Sequence, residues 1–171
     1  MVGLMMEHEP LLKTIRERRT IRRYKTDAVA MEKLQMLIEA ARWAPSAGNL
    51  QPWKFLLITD KGMLNKVKMV CPGWIKEAPA LVMICIDSKR ETDWSYIDVG
   101  AALQNVLLCA HSLGLGCCPI GSFVVQNLIE LLELPDHLKL VLLILVGYPD
   151  EELLPPPRLS LDELIFKRVG K

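Results

Sequence analysis

Net charge, aromatic side chains and paired cysteine motifs are all scarce in this sequence, and each scarcity removes a class of function. Lys and Arg total 21 against 20 Asp and Glu, a formal charge of +1. No field strong enough to hold nucleic acid or a membrane surface surrounds the chain as a whole, so any anion site is local. Aromatics are 6% of residues while hydrophobic residues are 51%, an aliphatic content that suits packed helices and sheet, and an oligomer. The five cysteines, Cys71, Cys85, Cys109, Cys117 and Cys118, contain no Cys-x-x-Cys pair and no zinc-type spacing. No metal site is expected. No secretion signal is read at the N-terminus, so reduced thiols in the cytoplasm are expected. Cys117 and Cys118 are adjacent, but a vicinal disulfide is strained, and both are read as buried structural residues.

Other familiar signatures are also missing. The apolar stretch from Tyr96 to Leu113 is interrupted by Asp98, Gln104, Asn105 and His111, and so falls short of the roughly 20 largely uninterrupted apolar residues of a membrane span. It reads as a buried central helix. His111 has no partner at triad-like positions and receives no role. Gly114-Leu115-Gly116 follows a helix and lacks both the third glycine and the preceding strand of a dinucleotide fingerprint. There is no internal repeat, and Pro155-Pro156-Pro157 is the only low-complexity run.

What remains fits one α+β domain over residues 1–171. Leu11, Leu12 and Ile15 predict a first amphipathic helix, and Leu34, Leu37, Ile38 and Ala41 a second that stops near Ala44, because Pro45 disfavours helix in the residue before it. Trp53 to Thr59 predicts a strand. Met63, Leu64, Val67 and Val70 mark a third helix closed by Pro72-Gly73, and Ala80 to Ile86 a central strand apolar on both faces. The central helix ends at Gly114 as a left-handed cap. Short structure at Cys117 to Ile120, a helix from Gln126 to Leu132 and a strand from Leu138 to Val146 complete the core. Beyond Gly147-Tyr148-Pro149 the triple proline sends out a stiff tail, whose Leu161, Leu164, Ile165 and Phe166 lack a place of their own and await a partner chain.

Two segments carry candidate chemistry. Arg16, Arg18, Arg19, Arg22 and Arg23 crowd a helix end beside the hydroxyl of Thr20; such a run is either a solvated basic face or a phosphate site, since arginine forks grip phosphate oxygens in pairs. Pro45 to Trp53 sets small residues that admit a ligand to the backbone beside Ser46, Asn49 and Gln51, polar groups able to read a heterocycle.

Together, Arg18-Arg19-Thr20-Ile21-Arg22-Arg23-Tyr24 and Ala44-Pro45-Ser46-Ala47-Gly48-Asn49-Leu50-Gln51-Pro52-Trp53 resemble the opening of the FMN-dependent nitroreductases, spacing included. Ile97-Asp98 through Gln104-Asn105, Leu113 to Gly116, Pro119-Ile120-Gly121-Ser122-Phe123, Gly147-Tyr148-Pro149 and Pro157-Arg158 follow in family order, so the resemblance covers about residues 11–166. It implies a three-layer α/β/α fold with a mixed central sheet of about four to five strands and a domain-swapped C-terminal extension, residues 149–171 wrapping a second copy.

The resemblance further implies a homodimer with shared active sites. Arg18, Arg19 and Thr20 would take the FMN phosphate and ribityl chain, Arg22 would lie toward the pyrimidine side, and Arg158 would return to the phosphate. Pro45, Ser46, Ala47, Asn49 and Gln51 would come from the other subunit, with Pro119, Ile120 and Gly121 facing the ring. The flavin would be the redox centre, with no catalytic side chain. NAD(P)H would be the co-substrate of a ping-pong reduction of nitroaromatic, quinone-like or other electron-poor small molecules. Alternatives within the fold are dehalogenation and flavin cleavage, and outside catalysis a flavin-binding electron relay. The helical insertion that covers the flavin in larger members is missing from this short chain.

Overall fold

In the computed structural model, which describes residues 9–74 and 77–170, the described residues form six α-helices and four strands: α1 (Glu9–Glu17), α2 (Met31–Arg42), β1 (Trp53–Ile58), α3 (Lys61–Met69), β2 (Ala80–Asp87), α4 (Ser95–Ser112), β3 (Gly116–Ile120), α5 (Val125–Leu132), β4 (Leu138–Gly147) and α6 (Leu161–Leu164). The strands make one sheet in the order β1-β2-β4-β3. All three neighbouring pairs are antiparallel. The parallel component expected of a mixed sheet is confined to a single bridge between Thr20 and Cys117.

Alternation along the strands decides which helices cover which face, because successive side chains of a strand point to opposite sides. Val82, Ile84, Ile86, Ile144 and Val146 pack with Leu34, Leu37 and Ala41 of α2 and Val99, Ala102 and Val106 of α4. Leu81, Met83, Leu143 and Leu145 pack with Leu64 and Val67 of α3 and Leu128 of α5. Helices therefore sandwich the sheet, and β2 is buried along its whole length. The same alternation separates Cys117, which belongs to the first core, from Cys118, which belongs to the second. Both are free thiols, and facing opposite ways they are not set to bridge each other.

Local chemistry explains the boundaries. The α2 helix gives out at Trp43, two residues before Pro45. Asp60 caps α3 by accepting from the Met63 amide at 2.7 Å. The central helix α4 closes in a Schellman turn: Gly114 takes φ 73°, its amide donates to His111 O at 3.1 Å and that of Leu115 to Ala110 O at 2.8 Å. No described helix is long and apolar enough to cross a membrane.

After Glu151 the chain leaves the body, and residues 152–170 are exposed throughout. Leu154 is 89% and Phe166 101% exposed. Within this tail Ser160 and Glu163 form a reciprocal capping box that starts the one-turn helix α6.

Candidate functional site

Two glycines make the floor on which the arginine segment rests. Gly116 and Gly147 are register partners across the β3–β4 ladder. A Cβ on Gly116 would lie 2.6 Å from Ile21 Cβ, and one on Gly147 would lie 2.8 Å from Tyr24 Cδ1. Their missing side chains let residues 20–25 settle against the sheet. The Ile21 amide donates to Cys117 O at 3.0 Å and that of Lys25 to Tyr148 O at 2.9 Å. The Tyr24 hydroxyl donates to Ile21 O at 2.5 Å, and burial pushes this phenol far above its ordinary range.

Glu151 then fixes the arginines. Its Oε1 accepts from the Arg22 amide at 2.6 Å and the Arg23 amide at 3.0 Å, while Oε2 pairs with Arg23 Nε at 3.4 Å. The amide of Arg22, first among these, holds the carboxyl below its ordinary value.

Arg18, Arg19 and Thr20 are half-buried beside β3. Arg19 Nη1 donates to the carbonyls of Arg16 and Arg18. Arg18 Nη1 and Arg19 Nε are buried with no hydrogen-bond partner among the described residues. Unpaired guanidinium nitrogens of this kind cost stability unless something anionic compensates them, and a phosphate presents the matching acceptors. The donor set therefore fits the phosphate end of FMN. Arg22 is exposed, and Arg158 lies on the exposed tail, where Nη1 donates to Pro157 O at 3.1 Å. The fold does not draw Arg158 into the cluster of its own chain.

The second segment is a strained turn between α2 and β1. Gly48, Asn49 and Gln51 have φ of 57°, 55° and 51°, and for the two non-glycine residues this left-handed region costs on the order of 1–3 kcal/mol each unless the surroundings enforce it. Ser46 Oγ accepts from the Gln51 amide at 3.0 Å, Gln51 Nε2 donates to Asn49 O at 3.0 Å, and Arg90 Nη1 donates to Leu50 O at 3.2 Å. Asp98 Oδ1, from the first turn of α4, accepts from the Ala47 amide at 3.1 Å. Pro45 and Asn49 are exposed; Ser46, Ala47 and Gln51 are half-buried.

The register places these segments at diagonally opposite corners of one sheet. Cys117 is level with Val146 and hence with Ala80, whereas Trp53, which follows the turn, is level with Ile86. That is roughly 20 Å along the strands and about 14 Å across them, from spacings of about 3.3 Å per residue and 4.8 Å per strand. Pro119, Ile120 and Gly121, by contrast, lie at the far end of β3 from the Thr20 bridge, only about 10 Å along the same strand. One chain thus joins the arginines to Pro119–Gly121 and keeps the turn apart from both.

The model of the nitroreductase family matches residues 15–71 and 67–148. A Methanothermobacter thermautotrophicus protein to which NADH dehydrogenase/NAD(P)H nitroreductase activity is ascribed is 34% identical over 90% of this chain and 87% of its own. This chain belongs to the nitroreductase family. Another relative, the Bacillus subtilis FMN reductase [NAD(P)H], is 32% identical over 87% of this chain and 70% of its own. The iodotyrosine deiodinase of Thermotoga neapolitana is 27% identical over 89% of this chain and 94% of its own. Among solved structures, a nitroreductase-type protein of Desulfovibrio desulfuricans in complex with FMN superposes with a TM-score of 0.83 at 30% identity, covering 95% of this chain and 98% of that one. The α/β/α sandwich expected of a nitroreductase is thus the fold observed.

Glu151, the Gly116–Gly147 floor and the Asp98 contact join the site only through the fold. Asp98 left a sequence signal as the one carboxylate in the apolar run from Tyr96 to Leu113, and Gly116 and Gly147 stand within motifs of the family resemblance. Glu151 acts on residues 128 and 129 positions away, a pairing with no local pattern.

Proposed function

We propose that this nitroreductase-family chain is an NAD(P)H-dependent FMN oxidoreductase that works as a homodimer with shared sites. The observation that carries the reading is the pair of buried, unpartnered guanidinium nitrogens of Arg18 and Arg19, set at the end of a strip that runs along β3 to Gly121. Arg18, Arg19 and Thr20 hold the phosphate and ribityl chain, with Arg22 toward the pyrimidine and the partner's tail bringing Arg158 back to the phosphate. Pro119 and the backbone amides of Ile120 and Gly121 face the ring. The opposite-corner placement of Pro45, Ser46, Ala47, Asn49 and Gln51 supports their serving the flavin of the second copy.

When bound, FMN would supply the redox chemistry of hydride transfer from NAD(P)H to an electron-poor small molecule such as a nitroaromatic or quinone. The protein's part is binding and orientation: positive charge at the arginines favours an anionic ring system, and no side chain is assigned as acid, base or nucleophile.

Dimerisation is supported by the exposed apolar tail and by the free edge of β1, where Leu56, Ile58, Met63, Leu131 and Leu132 line a groove. A partner's extension laid there would add the fifth strand. Free cysteines throughout support a reducing compartment, the cytoplasm.

Anaerobic mixing of the FMN-loaded protein with NADH and with NADPH tests the assignment: bleaching of the flavin band by at least one is expected. If neither reduces it while iodide is released from an iodinated phenol under chemical reduction, the dehalogenase reading takes its place; similarity to the deiodinase is the observation that favours it.

A further inference from the structure

Asp98 is 6% exposed, in the first turn of an 18-residue helix whose neighbouring residues Val99, Ala102 and Val106 are locked in the core. Among the described residues its carboxylate accepts one hydrogen bond, at Oδ1 from the Ala47 amide. Oδ2 is buried with no donor among the described residues. A buried acceptor without a donor is a net cost, so local stability alone does not account for an acceptor side chain here. What the carboxylate does provide is a rigid strut from the core to a turn that would otherwise relax. Left-handed Asn49 and Gln51 lie within four residues of Ala47, and such conformations persist only where their surroundings hold them. The other ties, from Ser46, Gln51 and Arg90, run within the turn or from a neighbouring loop; the Asp98 tie alone comes from the central helix.

We propose that Asp98 is a positioning residue for the flavin: by holding the Ala47 N–H it presets the Pro45–Gln51 turn in the shape that meets FMN bound to the partner chain. The inference rests on the flavin reading for what the turn does, and on the structure itself for what holds it. The side chain acts as an acceptor, so the amide that keeps the acceptor preserves the role and a truncation abolishes it.

The experiment compares wild type, Asp98→Asn and Asp98→Ala by FMN titration and by amide exchange at Ala47 in the flavin-free protein. Asp98→Ala should raise the FMN Kd about tenfold and deprotect the Ala47 amide, and Asp98→Asn should keep the Kd within about threefold of wild type with the amide still protected. A merely structural role would lower thermal stability in both variants with no such rescue. Wild-type FMN affinity in Asp98→Ala, or equal damage in Asp98→Asn, overturns the proposal. Should Asp98→Ala not fold, Asp98→Ser, too short to reach the amide, takes its place with the same expectation. If wild type binds no FMN, the flavin reading fails, and unchanged Ala47 exchange in Asp98→Ala is then the separate result that removes the strut.

Discussion

Gly116 faces Gly147 across the β3–β4 ladder, and on this pair Ile21 and Tyr24 lie. Gly116→Ala would set a methyl group 2.6 Å from Ile21 Cβ, and neither the strand nor a β-branched side chain yields easily. The connector should be pushed off β3, at a cost of about 1–3 kcal/mol. A lower unfolding midpoint together with weakened FMN binding is expected; a change in neither would mean the connector is not held as described.

On the proposed flavin reading Arg18→Ala would remove one charge-assisted phosphate contact, worth about 1.5–3 kcal/mol, and should weaken FMN binding roughly ten- to a hundredfold. Fluorescence titration of the refolded, flavin-free protein measures it directly. Unchanged affinity would return the arginine run to a solvated basic face.

Deleting residues 159–171 takes away Leu161, Leu164 and Phe166, which are 72%, 62% and 101% exposed on the single chain. A tail that wraps a partner should be missed at the interface. Light scattering is expected to show loss of dimer mass at low micromolar concentration, and an intact dimer would count against the wrap.

Glu151 makes the arginine segment sensitive to acid. Its carboxyl is held below the ordinary 4.5, chiefly by the Arg22 amide and further by Arg23, so the folded value is the lower one. The stabilisation it gives is therefore complete above about pH 4.5 and is lost as pH falls through the folded value. Denaturant curves of wild type and Glu151→Gln should differ near neutrality and converge as pH falls through the folded value. A gap that stays constant with pH would exclude this linkage.

Much of the fold is legible in the chain because its signals are local. The spacing of Leu34, Leu37 and Ala41, the unbroken run from Ala80 to Ile86 and the cap at Gly114 each report their own element, and Pro45 with Gly48-Asn49 marks the turn. The site is less legible because it is assembled from pairings. Nothing in the string places Thr20 beside Cys117, ties Glu151 to Arg22 or aims Asp98 at Ala47; these follow from strand order and from where the chain re-enters the sheet. Sheet direction is a further case. Short apolar strands look alike whether parallel or antiparallel, and the three ladders prove antiparallel throughout.

The opposite-corner arrangement has a genetic meaning. If the sites are shared as proposed, a chain carrying Arg18→Ala and a chain with a ruined turn should each bind flavin poorly as pure homodimers, for every site in either dimer would lack one half. Co-expressed, the two defective alleles should complement: in a mixed dimer the sound arginines of one chain meet the sound turn of the other, restoring one site while the second carries both lesions. Recovery of flavin binding from two weakened parents, absent when both lesions share one chain, would be the signature of a site owned by neither polypeptide alone.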